Sequence, residues 1–132
     1  MDMVIDTSAV IAVLTSEPER RVLVEHTRGV DLIAPASVHW EIGNALAAML
    51  KRRRIKRGQI GSVLKSYERI PIRYVDVSLK GALDLAAEYN LYAYDAYVVL
   101  CALSHRARLL SLDRALLRVA SAAGVKVVDI AK

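Results

Sequence analysis

The sequence predicts an α/β fold: a three-layer α/β/α sandwich around a central parallel sheet of about five short strands. Three observations predict it. Apolar runs of strand length alternate with longer segments of helical period, the pattern of a parallel sheet covered on both faces. The most apolar helix, from about Asp95 to Arg106, is apolar on every side and therefore central. No internal repeat, linker or low-complexity segment divides the chain, so residues 1–132 are expected to form one domain, a usual size at 132 residues.

The elements follow in order. Met3-Val4-Ile5 is a short apolar run ending at Asp6, and it reads as a buried strand. Thr7-Ser8-Ala9 opens a helix whose apolar residues are Val10, Ile11, Val13 and Leu14. Ser16-Glu17-Pro18-Glu19 is a break and a new start, and Glu19 to Arg28 forms an amphipathic helix ended by Gly29. Leu32-Ile33-Ala34 is the second strand, closed by Pro35. Ser37 is the expected N-cap of a long helix in which Val38, Ile42, Ala45, Leu46, Met49 and Leu50 recur at helical spacing.

That helix ends in Lys51-Arg52-Arg53-Arg54, and a further one is expected from Lys56 to Arg69. Pro71 stops it before the third strand, Ile72-Arg73-Tyr74-Val75. Ser78 to Tyr89 is helical and Asn90 turns the chain into the central helix. Leu109-Leu110-Ser111-Leu112 is the fourth strand and Asp113 to Ala123 the last helix. Gly124 closes it before a fifth strand, Val125-Lys126-Val127-Val128.

Composition bounds the function. At 55% hydrophobic and 25% charged residues the chain is a folding sequence. No apolar run reaches the roughly 18 residues that span a bilayer, and the N-terminal residues lack an export pattern. The expected location is the cytoplasm, with no membrane partner. Cys101 is the only cysteine, so no intrachain disulfide forms, and its apolar neighbours mark it as a core thiol. A net charge of +5 is compatible with a polyanionic partner.

The informative residues are acids that interrupt apolar elements. Asp6 ends the first strand and Asp113 follows the fourth. Each is either a cap of the next helix or a group at the carboxyl end of a strand, where ligands bind in doubly wound sheets. Glu41 lies three residues after Val38 and four before Ala45, on or beside the apolar stripe of its helix. Asp95 stands at the start of the central helix, where the helix dipole favours a carboxylate, and it is either the N-cap of that helix or a group of the site. Four carboxylates brought to one cleft repel and are penalised by desolvation. Divalent cations that prefer oxygen ligands, Mg²⁺ or Mn²⁺, resolve that conflict, and such ions suit phosphodiester hydrolysis.

Competing chemistries lack their parts. His26, His39 and His105 show neither HxxxH nor HExxH spacing, which argues against a zinc hydrolase, and no Gly-rich phosphate loop is present. An aspartate-based phosphotransfer domain ranks last, because Asp6-Thr7-Ser8 has no second Asp two residues on. A binding module that keeps the fold without the chemistry remains the main alternative.

The segments Val4-Ile5-Asp6-Thr7-Ser8-Ala9, Ser37-Val38-His39-Trp40-Glu41-Ile42, Tyr94-Asp95-Ala96 and Leu110-Ser111-Leu112-Asp113 resemble the four acidic motifs of the PIN domain, in order and along nearly the whole chain. The compact form is most similar to the VapC toxins of prokaryotic toxin–antitoxin pairs. The resemblance implies an endoribonuclease using one or two Mg²⁺ or Mn²⁺ ions, a homodimer, an RNA substrate and a cognate antitoxin. It implies Asp6, Glu41, Asp95 and Asp113 as the catalytic, metal-site acids. Ser8 and Ser111 match hydroxyl positions that orient the first and last of them. One departure stands out: Arg114, Ala115, Leu116 and Leu117 follow Asp113, where many relatives carry a further acid or Asn.

Six of the seven residues from Lys51 to Arg57 are basic. Arg52, Arg53, Arg54, Lys56 and Arg57 are candidates for contacting RNA phosphates, against the alternative of a solvated helix end. Tyr89, Tyr92, Tyr94 and Tyr97 surround Asp95, either stacking on unpaired bases or packing helices together. Trp40 is expected beneath the site or at a subunit contact.

Overall fold

The computed structural model describes residues 1–130. Among these, four strands form one sheet in the order β3-β2-β1-β4, with every neighbouring pair parallel. The strands are β1 (Asp2–Ile5), β2 (Asp31–Pro35), β3 (Ile72–Val75) and β4 (Arg108–Leu110). Seven α-helices connect and cover them: α1 (Thr7–Leu14), α2 (Arg20–Thr27), α3 (Ser37–Lys51), α4 (Ile60–Glu68), α5 (Leu79–Tyr89), α6 (Ala93–His105) and α7 (Arg114–Ala122). The expected α/β/α sandwich is therefore present. No helix among the described residues is long and apolar enough to cross a membrane.

Burial fits a sheet covered on both faces. Met3, Val4 and Ile5 of β1 are buried, as are Leu32, Ile33 and Ala34 of β2 and Leu109 and Leu110 of β4. Continuous apolar runs of this kind belong to strands covered on both faces. The central helix α6 lies against β1 and β2 and carries α5 on its other side. Gly81 allows that contact, since a Cβ there would stand 3.0 Å from Leu100 Cδ2. Cys101 is buried within α6, as its neighbours imply.

The topology creates a switch point. From β1 the chain moves to β2 and then β3 on one side, and returns to β4 on the other side of β1. Connections leaving β1 and β4 thus diverge, and the crevice between their carboxyl ends is where ligands bind in open α/β sheets. Asp6 follows β1 there, and Ser111 to Asp113 follow β4.

Three expectations need correction. The fifth strand is reduced to a single parallel bridge between Leu109 and Val127. Leu109 N donates to Lys126 O and Val128 N to Leu109 O, both at 2.9 Å. β4 has only three residues, because Ser111 leaves the ladder to hydrogen-bond Asp6, so little strand remains to pair with. Ser37 is the first residue of α3 and not its cap. Ala36 holds the cap position with helical backbone angles while its N still donates to Val75 O at 3.1 Å, and the Ser37 hydroxyl is buried without a partner. The helix expected from Lys56 begins as a 3-10 turn, Arg57–Gln59, before α4.

A candidate active site at the strand ends

Asp6 is the most constrained side chain of the site. Its backbone continues β1, with Asp6 N donating to Leu110 O at 3.3 Å. Its side chain caps α1 by accepting from Ala9 N at 3.2 Å. Ser8 Oγ donates to Asp6 Oδ1 and Ser111 Oγ to Oδ2, each at 2.7 Å. The direction of these hydroxyl protons is set by the amides behind them. Leu112 N donates to Ser8 Oγ and Asp113 N to Ser111 Oγ, both at 2.9 Å. Each hydroxyl thus spends a lone pair on an amide and points its proton at the carboxylate. Asp6 is 6% exposed, and burial raises its pKa. The hydrogen bonds from Ser111, Ser8 and Ala9 oppose that rise, and the Asp113 charge adds to it.

The other acids come from three more elements. Glu41 sits in the second turn of α3, and its Oε1 is buried with no hydrogen-bond partner. Burial, followed by the charges of Asp6 and Asp95, pushes its pKa up to about 7. Asp95 lies in the first turn of α6, where Tyr92 holds the cap position, so its carboxylate is not consumed in capping. Its pKa is raised by burial and then by Asp113. Asp113 is exposed and caps α7, with Oδ1 accepting from Leu116 N at 3.1 Å. For Asp6 and Asp113, capping and a place in the site are therefore not alternatives.

These influences close a ring: Asp6 feels Asp113, Glu41 feels Asp6 and Asp95, and Asp95 feels Asp113. All four acids line one cleft of about 500 Å³. The same cleft is lined by two further acids, Glu17 and Glu19, which the sequence marks only as part of a break and a helix start. Glu19 Oε2 is buried without a partner, as is the hydroxyl of Thr7, another lining residue. Among the described residues, no Lys, Arg or His lines this cleft.

The donor set is entirely oxygen, which fits Mg²⁺ or Mn²⁺ and not a soft-ligand metal. Among the described residues, no three His, Cys, Asp or Glu side chains are already arranged as a metal cage. Mg²⁺ does not need one, since it keeps several waters and takes one or two carboxylates besides phosphate oxygens. The unpartnered oxygens of Glu41 and Glu19 and the mutual repulsion of the ring are what a divalent ion would satisfy.

The remaining candidates divide. Arg52, Arg53, Arg54, Lys56 and Arg57 are all exposed. Arg54 pairs with Glu17 at 3.7 Å, which sets this end of the basic run at the rim of the cleft. Trp40 does not pack beneath the site, being 74% exposed. Tyr97 makes an edge contact with Tyr94 at 6.0 Å between centroids, and Tyr92 and Tyr94 are exposed.

A parallel α/β sandwich with an acidic crevice at its topological switch point defines an α/β protein with a carboxylate-lined ligand site. The family model of the PIN domain matches residues 3–122, and the chain belongs to that family, whose members are in general nucleases. Solved structures share the fold. PAE2754 from Pyrobaculum aerophilum is similar with a TM-score of 0.72 and 23% identity, over 96% of this chain and 92% of that one. VapBC2 from Rickettsia felis, bound to a DNA fragment from its promoter, gives 0.71 and 13% identity over 97% and 98%. FitAcB from Neisseria gonorrhoeae gives 0.66 and 17% over 98% of both chains. No curated protein matches the sequence significantly.

Proposed function

We propose that this chain is a single-domain endoribonuclease that hydrolyses RNA phosphodiester bonds with Mg²⁺ or Mn²⁺, and that it is the toxin of a toxin–antitoxin pair. One observation carries the enzymatic part. A cleft lined, among the described residues, by six carboxylates and no cation, in a chain of net charge +5, repels a phosphate unless divalent ions intervene. Asp6, Glu41, Asp95 and Asp113 would hold one or two such ions.

A bound divalent ion supplies polarisation of the phosphoryl group and activation of water for attack. The protein's own part is positioning. Ser8 and Ser111 fix both oxygens of Asp6; Oδ1 also accepts from Ala9 N, so Oδ2, with a single hydrogen bond, is the oxygen that keeps a lone pair for a ligand. Capping fixes Oδ1 of Asp113 and leaves Oδ2 available. Glu41, whose pKa burial and the neighbouring acids push up to about 7, gains when a cation replaces its proton. The exposed basic run, joined to the rim through Arg54, suits the flanking phosphates of the strand.

The toxin assignment rests on likeness to VapC toxins in the acidic motifs, with support from the fold shared with VapBC2 and FitAcB. It carries with it a homodimer, a cognate antitoxin and a cytoplasmic setting. The test is RNA cleavage by the purified chain with Mn²⁺, with Mg²⁺ and with chelator, alongside Asp6→Asn and Asp95→Asn. Cleavage should require the metal and disappear in both variants. Equal cleavage by all three proteins would assign the activity to a contaminant. Tight RNA binding under saturating Mn²⁺ without cleavage would make the chain a binding module instead.

A further inference from the structure

We propose that Trp40 and Tyr94 form a stacking subsite for an unpaired nucleobase, beside the acidic cleft and continuous with it. The proposal rests on the nuclease reading and specifies what the strand presents next to the scissile phosphate: a single-stranded, unstacked base.

Trp40 is 74% exposed and Tyr94 57% exposed, large apolar rings that a folded chain normally covers. Both line a second pocket of about 350 Å³, together with Thr7, Glu41, Asn44 and Ala45. Thr7, Glu41 and Ala45 also line the acidic cleft, so the two spaces share a wall. Helix geometry explains the division. Glu41 and Ala45, four residues apart, form one row on α3, and Trp40 and Asn44 form the adjacent row. A strand whose phosphate lies at the Glu41 row therefore meets the indole row next.

The rings are held in place without being covered. His39 meets Trp40 edge-on with centroids 4.7 Å apart, and His39 Nδ1 is hydrogen-bonded to Tyr67 Oη at 2.8 Å. Tyr94 is supported by Tyr97. An aromatic face so fixed loses little entropy when a flat partner arrives. The occupant is a nucleobase because the pocket adjoins a site for phosphate chemistry, and among the described residues its only charged group is Glu41, which a cation would share. Bases stack on aromatic side chains whatever their sequence, and unpaired RNA bases are recognised in this way. The Asn44 amide and the Thr7 hydroxyl, the latter buried without a partner, add hydrogen-bonding groups to the wall.

Trp40 is the sole tryptophan among six tyrosines, so indole emission excited beyond the tyrosine absorption band reports this position alone. The wild-type chain with Mn²⁺ is mixed with a short single-stranded oligoribonucleotide, an abasic strand of equal length, or the matching duplex, and emission is read before turnover. Anisotropy of an end label measures binding independently. The single strand should bind and quench, while the abasic strand and the duplex leave emission unchanged. Trp40→Ala should raise KM about tenfold to a hundredfold with kcat little altered, and Trp40→Phe should recover most of the loss. Equal quenching by intact and abasic strands, or an unaltered KM in Trp40→Ala, overturns the subsite and leaves the nuclease reading standing. Emission that changes with protein concentration in the absence of RNA also overturns it, assigning Trp40 to a contact between copies. Absence of both anisotropy and cleavage would remove the nuclease reading and the subsite together.

Discussion

Ser111 and Asp6 lie 105 residues apart in sequence and are joined by a buried hydrogen bond of 2.7 Å, from Ser111 Oγ to Asp6 Oδ2. The bond crosses the gap between β1 and β4 at the point where their connections diverge. It also serves two masters, because the same oxygen accepts from Asp113 N. Ser111→Ala therefore leaves a buried carboxylate oxygen and a backbone amide short of a partner at once. Losing partners of that kind costs about 1–3 kcal/mol, so the thermal midpoint should fall by about 5–10 °C. Ser8 is less buried, and Ser8→Ala should cost less. Calorimetry of the two variants checks the order, and a larger loss in Ser8→Ala would show that the carboxylate is anchored from the α1 side.

Glu41 makes stability depend on pH in an unusual direction. Its folded pKa of about 7 lies above the ordinary value of 4.5, so the folded chain binds the proton more tightly than the unfolded chain does. The stabilisation is complete below pH 4.5 and is lost as pH rises through 7. Asp6 and Asp95, also raised, act with the same sign. The metal-free chain should therefore lose thermal stability between pH 5 and pH 8. Glu41→Gln, which cannot ionise, should flatten part of that slope while abolishing cleavage. A midpoint in the metal-free protein that climbs steadily from pH 5 to pH 8 would contradict the acid ring.

Metal binding should reverse the trend. Carboxylates that repel when empty of cations attract when an ion stands among them, and ligand binding to the folded state alone stabilises by mass action, about 2.7 kcal/mol at a hundredfold excess over Kd. At pH 8, saturating Mn²⁺ should raise the midpoint by about 5–10 °C, and at pH 5 by much less, because protons compete for the same oxygens. The gain should disappear in Asp6→Asn. An equal gain at both pH values would place the ion away from Glu41.

These relationships were legible in the sequence to different depths. Alternation of apolar runs and helical periods specified β1 to β4 and the helices between them, because both faces of the sheet are covered. The four acids stood out because each broke an apolar pattern. Glu17 and Glu19 did not, since acids flanking Pro18 look like any solvated turn, and only the return of that turn to the strand ends brings them to the cleft. Ser37 misled for a related reason. Its hydroxyl was read as a cap from local chemistry, but pairing of Pro35 and Ala36 with Val75 decides where α3 begins. Trp40 next to Glu41 looked like packing, because adjacency in sequence does not show which side of a helix is covered.

The pair between Arg54 and Glu17 offers a separate test of the basic run. Both side chains are substantially exposed, so the pair itself contributes at most about 1 kcal/mol to stability. Arg54→Ala should leave the midpoint within about 4 °C. Its consequence for RNA is larger, because the guanidinium partly neutralises Glu17 at the rim and faces any phosphate approaching the cleft. Replacing Arg52, Arg53 and Arg57 together removes charge further from the acids. If these residues contact a single strand, each lost contact should reduce the slope of log affinity against log salt by about 0.7. Arg54→Ala should do the same and in addition lower kcat/KM, since it alone adjoins the cleft. Binding measured across a range of salt concentrations separates the two. Slopes identical to wild type in every variant would return the run from Lys51 to Arg57 to the role of a solvated helix end, with its cations answering only the dipole of α3.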